Sequence, residues 1–167
     1  VQENEVVTIT AEATDVDGDN LTYSINDSRF SQNGNVFTWQ TGYDDAGTYG
    51  VLVTVSDGEL SDSQEVIINV DNENQLPVIT STPVTTGSEG DFYTYEVDAT
   101  DPDNNTLTYS LTIFPIGMII GQTTGIIEWT PTENDIGEHQ INISVTDGVL
   151  YTYQSYLLTI TDYNSPP

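Results

Sequence analysis

The sequence predicts an all-β protein made of two tandem Greek-key β-sandwiches. Three observations carry that prediction. Apolar residues alternate with polar ones at a period of two, the chain repeats itself once, and Gly, Asn and Asp punctuate the gaps between apolar runs. No segment has the 3.6-residue period of an amphipathic helix.

The alternation starts near the N-terminus. Val7, Ile9, Ala11 and Ala13 alternate with Thr8, Thr10 and Glu12, and Tyr93, Tyr95, Val97 and Ala99 repeat the same phase later. Leu21-Tyr23-Ile25, Val51-Val53-Val55 and Val66-Ile68-Val70 follow in the first half. Leu107-Tyr109-Leu111, Ile141-Ile143-Val145 and Tyr156-Leu158-Ile160 match them in the second. Roughly seven short strands per repeat is the strand count of a Greek-key sandwich. Trp39 and Trp129 recur at one strand position and are therefore expected to anchor the two cores.

The internal repeat sets the domain organisation. "AEATDVDGDNLTYSI" from Ala11 matches "VDATDPDNNTLTYSL" from Val97, with Asp15 and Asp101 equivalent at a displacement of 86 residues. "WQTGYDDAGTYGVLVTVSDG" from Trp39 matches "WTPTENDIGEHQINISVTDG" from Trp129, with Asp57 and Asp147 equivalent at 90. The extra residues fall in the loop-like "FPIGMIIGQTTG". The polar stretch "DNENQLP", Asp71 to Pro77, reads as the linker, because Pro77 cannot continue a central strand. Residues 1–72 are expected to form the first sandwich, allowing for a missing first strand, and residues 73–167 the second. The closing "YNSPP" reads as the start of another linker.

Composition narrows the function. The chain carries 27 acidic residues against one basic residue, Arg29. Nucleic acid and anionic membrane surfaces need Lys/Arg clusters and are excluded as partners. Such an excess of one sign makes the folded state repel itself, so divalent cations or high external salt are expected to offset it. There is no cysteine, hence no disulfide and no thiolate metal site. No apolar run approaches the ~20 residues of a membrane-spanning helix. Val1 opens directly into repeat-like sequence, so the chain is expected to be a mature piece or an excised segment.

The pieces "ATDxDxxxLTYS", the "G-x-[IF]-x-W" strand, "D-x-G-x-Y" and "V-x-V-x-DG" resemble the cadherin-like and dystroglycan-type immunoglobulin-like repeats of secreted and cell-surface proteins. The linker "DNENQLP" resembles the cadherin calcium linker, with one residue more before the proline and Glu73 where cadherins have Asp. The resemblance implies Ca²⁺ at the junction. Its ligands would come from Glu3 or Glu5 and Asp44 of the first repeat, from Asp71, Asn72, Glu73 and Asn74 of the linker, and from Asp101, Asp103 and Asp147 of the second repeat. Asp15, Asp17 and Asp57 would serve an equivalent site toward a preceding domain.

The residues support calcium physically, and they also support a plainer role. Ca²⁺ takes six to eight oxygen ligands in irregular geometry, and alternating loop aspartates turn two carboxylates to one side. Asp and Asn equally bond their own backbone in turns without any ion. The stretch "DVDGDNLTYSIN" begins like an EF-hand loop, but Asn20 and Asn26 stand where the glycine and the bidentate Glu belong. Sequons at Asn20, Asn26, Asn104 and Asn142 permit N-glycosylation. Asn142 is expected to be accessible, since Ile141 and Ile143 beside it point inward.

One His, one Arg, no Lys and no Cys leave almost no constellation of the kind that acid–base and nucleophilic catalysis need, and the paired carboxylates that could cut glycosides sit in turns repeated in both halves. The expected function is a non-enzymatic structural or adhesive segment of an extracellular or cell-surface protein, joined to neighbouring repeats and stiffened by calcium. The rival expectations are a carbohydrate-binding module of a secreted enzyme, with Tyr151 and Tyr153 as the outward aromatic residues, and a filament subunit joined to identical subunits by strand addition. Other surface proteins and glycans are the expected partners beyond the protein's own repeats.

Overall fold

The computed structural model describes residues 1–163, so Asn164 to Pro167 of the closing linker-like segment lie outside the described residues. The chain divides into two compact units, Val1–Glu73 and Asn74–Pro167, and both are β-sandwiches.

The first unit has six strands: β1 (Val6–Thr10), β2 (Thr22–Ile25), β3 (Ser31–Asn33), β4 (Val36–Gln40), β5 (Gly47–Ser56) and β6 (Ser61–Val70). They form two antiparallel sheets, β1-β4-β3 and β2-β5-β6. Period-two alternation sends Val7, Phe37, Trp39, Val51, Val53, Ile68 and Val70 into the core between them. The Trp39 indole meets the Tyr49 ring edge-on at 5.0 Å, and the Tyr49 hydroxyl donates to the Asp45 carbonyl at 2.8 Å. That bond back to the chain four residues upstream is a tyrosine corner. Arg29 places its guanidinium 4.4 Å from the Trp39 ring centroid and 4.1 Å from that of Tyr49. It also pairs with Asp27. The one basic side chain therefore holds down the aromatic corner of this unit, where cation–π contacts each contribute about 0.5–2 kcal/mol.

Among its described residues the second unit has nine strands: β7 (Val78–Ile79), β8 (Thr86–Ser88), β9 (Tyr93–Glu96), β10 (Ala99–Thr100), β11 (Thr108–Ile113), β12 (Ile119–Ile120), β13 (Ile126–Trp129), β14 (Gly137–Thr146) and β15 (Tyr151–Thr161). One sheet runs β12-β13-β9, the other β11-β14-β15-β8, and β10 pairs with β7 in a short ribbon. The core gathers Tyr93, Tyr95, Val97, Ile127, Trp129, Ile141, Ile143, Val145, Leu158 and Ile160. His139 takes the place of Tyr49. Its ring meets Trp129 edge-on at 5.3 Å, and Nε2–H donates to the Asp135 carbonyl at 2.6 Å. The corner is thus preserved with a different side chain, because either ring carries one donor at the required reach. Burial pushes the Tyr156 phenol well above its ordinary value, and its hydroxyl lies 3.0 Å from that of Tyr93.

One sequence expectation is corrected in detail. The stretch "FPIGMIIGQTTG" is not wholly loop: Ile119 and Ile120 form β12 against β13, and Met118 is buried at 2%. Two apolar side chains in the insertion reach the core edge, and that burial draws the segment onto the sheet. Its closing residue, Gly125, has φ +69°, and a Cβ there would sit 2.5 Å from the Val97 carbonyl oxygen and 3.2 Å from the Tyr109 ring. Gly90 also has positive φ, +74°, but with nothing within 4 Å.

Gly125→Ala is therefore expected to destabilise the second unit by about 3 kcal/mol or more, and Gly90→Ala by only about 1–2 kcal/mol, the ordinary left-handed penalty. Urea denaturation of the two variants checks this; equal losses would show that the close approach to Val97 is harmless.

A second prediction concerns pH. Hydrogen bonding to Arg29 holds the Asp27 carboxyl below its usual 3.8, and bonds from the Thr132 backbone and hydroxyl do the same for Asp135. Depressed carboxylates contribute stability that is present above their unfolded value and lost as pH falls through the folded one. The repulsion among 27 acids acts in the opposite direction and eases as surface carboxylates protonate. At low salt, the melting temperature should rise from pH 7 toward about 5 and fall below about 4. A decline that begins at pH 7 would mean that self-repulsion is negligible.

Candidate functional site

Aspartate-led turns recur at equivalent places in the two units, and the backbone explains their chemistry. In the first unit, Asp15 Oδ1 accepts from the N–H groups of Asp17 at 2.8 Å and Asp19 at 3.0 Å. Asp57 Oδ1 accepts from Glu59 and Leu60, both at 2.7 Å. In the second unit, Asp101 Oδ1 accepts from Asp103 at 3.0 Å and Asn105 at 3.1 Å, and Asp147 Oδ1 from Val149 at 2.7 Å and Leu150 at 2.6 Å. A short side chain that caps its own turn explains why Asp stands at all four positions.

The second unit adds linker contacts to this pattern. The Asn74 side-chain amide donates to Asp147 Oδ2 at 2.7 Å, and the Gln75 backbone N–H donates to Asp103 Oδ2 at 2.6 Å. The Asn105 amide in turn donates to Asn74 Oδ1 at 2.8 Å. Four of the expected ligands, Asn74, Asp101, Asp103 and Asp147, thus share one hydrogen-bonded cluster. Asp147 is held below its ordinary value, first by the Asn74 amide and then by the Leu150 and Val149 N–H groups. Gln75 and Asn105 complete the cluster and are not obvious ligands in the sequence. The signal for Asn105 is its position two residues after Asp103, matching Asp19 after Asp17.

Asp101 is the exception within the cluster. It keeps 9% of its surface, and its Oδ2 is buried without a hydrogen-bond partner among the described residues. A buried, unpartnered carboxylate oxygen costs several kcal/mol unless a proton or a cation reaches it.

The expected ligands of the first unit lie differently. Glu3, buried at 1%, uses Oε1 to accept from Ala46 N–H at 2.7 Å and Oε2 to accept from Glu73 N–H at 3.0 Å. Both oxygens pin the chain to itself. Glu5 Oε2 accepts from Gln2 N–H at 2.9 Å. Asp44, Asp71 and Asn72 are exposed, and Glu73 is half-buried. Among the described residues, no group of three or more His, Cys, Asp or Glu is arranged to hold a metal ion. As they stand, the Glu3 and Glu5 carboxylates face backbone amides rather than a common point.

The sequons differ in access. Asn20, Asn26 and Asn104 are exposed. Asn142 is half-buried, and its side-chain oxygen accepts from the Ser155 hydroxyl of the neighbouring strand. Pointing away from the core was therefore not enough to leave it free. Trp39 and Trp129 keep 4% and 3% of their surface, as core anchors do. No helix among the described residues is long and apolar enough to cross a membrane.

Comparison with known proteins agrees with this architecture. Chitinase A of Pseudoalteromonas piscicida is 32% identical over 126 residues, covering 68% of this chain, while the chain spans 15% of that protein. The EC1-2 segment of human protocadherin-24 superposes with a TM-score of 0.58 at 21% identity, over 95% of this chain and 88% of that one. The EC22-24 segment of mouse cadherin-23 gives 0.56 at 22% identity, over 85% and 53%. These structural likenesses show a shared cadherin-like fold. The profile of a family described as "Putative Ig domain" matches residues 76–161. Because that match spans just over half of the chain, the protein belongs to the He_PIG family of immunoglobulin-like domains.

Proposed function

We propose that the chain is a non-catalytic structural segment of a longer extracellular protein, and that Ca²⁺ binds the acidic cluster of the second repeat. The unpartnered buried oxygen of Asp101 carries the calcium reading. A cation there would satisfy it, and Asp103, Asp147 and Asn74 bear the hard oxygen donors that calcium prefers. In a chain with one basic residue, already paired with Asp27, the compensating charge must come from solution. The carboxylates would have to turn away from some of their present amide partners to receive the ion. Because Asn74 and Gln75 are linker residues bonded to this cluster, an ion on it would stiffen the linker, the property a string of repeats needs to act as a spacer. The relation to a chitinase supports a place beside a polysaccharide-degrading enzyme. Within that larger protein, the segment would hold other modules apart.

For sites of about 10⁻⁴ M affinity, millimolar calcium adds about 1.4 kcal/mol per ion. That corresponds to roughly 5–10 °C in the melting temperature of a domain this size. Titration calorimetry with CaCl₂, with melts in calcium and in EDTA, should show binding and a shift of that order in the wild type. Both should vanish in Asp101→Asn combined with Asp103→Asn. Absent heat and superimposed melts would sink the calcium reading and leave the aspartates as turn residues.

A further inference from the structure

We propose that the outer face of the β11–β14–β15 sheet binds a neutral polysaccharide, with Tyr151 and Tyr153 as its stacking platform. The two residues sit two apart on β15, so both rings leave the sheet on one side. They remain 52% and 61% exposed, and their rings lie within 15° of parallel at a centroid separation of 6.5 Å. That separation is on the scale of a single hexose ring. Aromatic rings present a π face to which the C–H groups of a pyranose adhere without any need for charge.

The face around them is chemically unusual for this chain. Strand register puts Thr146 opposite Tyr151 and Ser144 opposite Tyr153, and puts Thr108 and Ser110 opposite Thr146 and Ser144 on the next strand. Asn142 and Ser155 form the following row. Of these, Thr108 and Ser110 present exposed hydroxyls on the face of the rings, while Ser144 is buried at 4% and Asn142 and Ser155 are bonded to each other. Asp147 at the hairpin end and Glu138 at the far end bound the patch, and the strand rows between them carry no charge. In a chain with a net charge of −26, an acid-free patch admits a neutral polymer, while a sulfated or carboxylated one would meet repulsion from its surroundings.

The first repeat supplies an internal comparison. Its equivalent strand pair places Ser61 opposite Ser56 and Ser63 opposite Thr54, so serines stand where the second repeat has Tyr151 and Tyr153. The equivalent of Ser155 is Glu65, opposite Leu52. The same sandwich therefore folds without these tyrosines and with a charge in that row, so the fold does not call for the platform.

The platform shares no residue with the calcium cluster, so the two readings fail separately. The test uses the whole chain, in calcium and in EDTA, with chitin, crystalline cellulose and galactomannan as neutral probes and fucoidan as a sulfated one. The wild type should be retained on at least one neutral polymer in both buffers. Tyr151→Ser combined with Tyr153→Ser, which the first repeat shows the fold accepts, should weaken retention at least tenfold with an unchanged melting temperature. Phe92→Ser, an equally exposed aromatic residue outside the face, should leave it intact. Failure to bind any of the neutral probes, binding that survives the double variant, or preference for fucoidan would each overturn the proposal. So would self-association abolished by the double variant, which would assign the face to a second copy of the chain.

Discussion

A carboxylate that accepts hydrogen bonds from backbone N–H groups is the interaction on which the rest of this molecule depends. The chain has one arginine and 27 acids, so an acid drawn into the fold has almost no cationic side chain to meet. Backbone amides take that role instead. Asp15, Asp57, Asp101 and Asp147 each close a turn in this way, and Glu3 ties an N-terminal segment to Ala46 and Glu73 with two such bonds. Hydrogen bonds to an ionised group are stronger than neutral ones. Turns that would otherwise consist only of repelling surface charge are thereby fixed in shape.

That constraint also explains why Asp101 is the pressure point of the second repeat. Its Oδ1 follows the same rule as the other turn aspartates, and its Oδ2 is enclosed without an amide to meet it. A turn-capping role accounts for one oxygen, and none of the described residues meets the other. The wider charge excess has the same character. Solvent, salt or divalent cations must carry the compensation, which makes stability depend on the medium more than on any ion pair within the fold.

The duplication separates what the sandwich requires from what is local. Trp39 with Tyr49 and Trp129 with His139 keep the same edge-on geometry and the same bond to a carbonyl four residues upstream. The fold therefore demands an aromatic corner with a donor, and its chemical identity is free to vary. Arg29 caps that corner in the first unit by lying against both rings. The outward face shows the opposite behaviour. Ser61 and Ser63 stand where the second repeat has Tyr151 and Tyr153, with no change in strand register, so the fold leaves these outward positions free to vary.

The sequence by itself determined the all-β class, the tandem repeat, and the inward faces of the long strands. Those properties follow from side-chain alternation and turn chemistry, both local to a few residues. The cadherin resemblance implied a wider ligand set, of which Asn74, Asp101, Asp103 and Asp147 share one hydrogen-bonded cluster, while Glu3, Glu5, Asp44, Asp71, Asn72 and Glu73 lie outside it. Only the tertiary structure decided how each carboxylate is used. Glu3 has both oxygens bound by amides from residues 43 and 70 positions away, and Asn142 is engaged by Ser155 on the adjacent strand. Asp101 keeps one oxygen without a partner. Whether an acid meets an amide, water or nothing depends on which distant segment folds over it. No pattern along the chain encodes that, because the competing partners are brought together by packing alone.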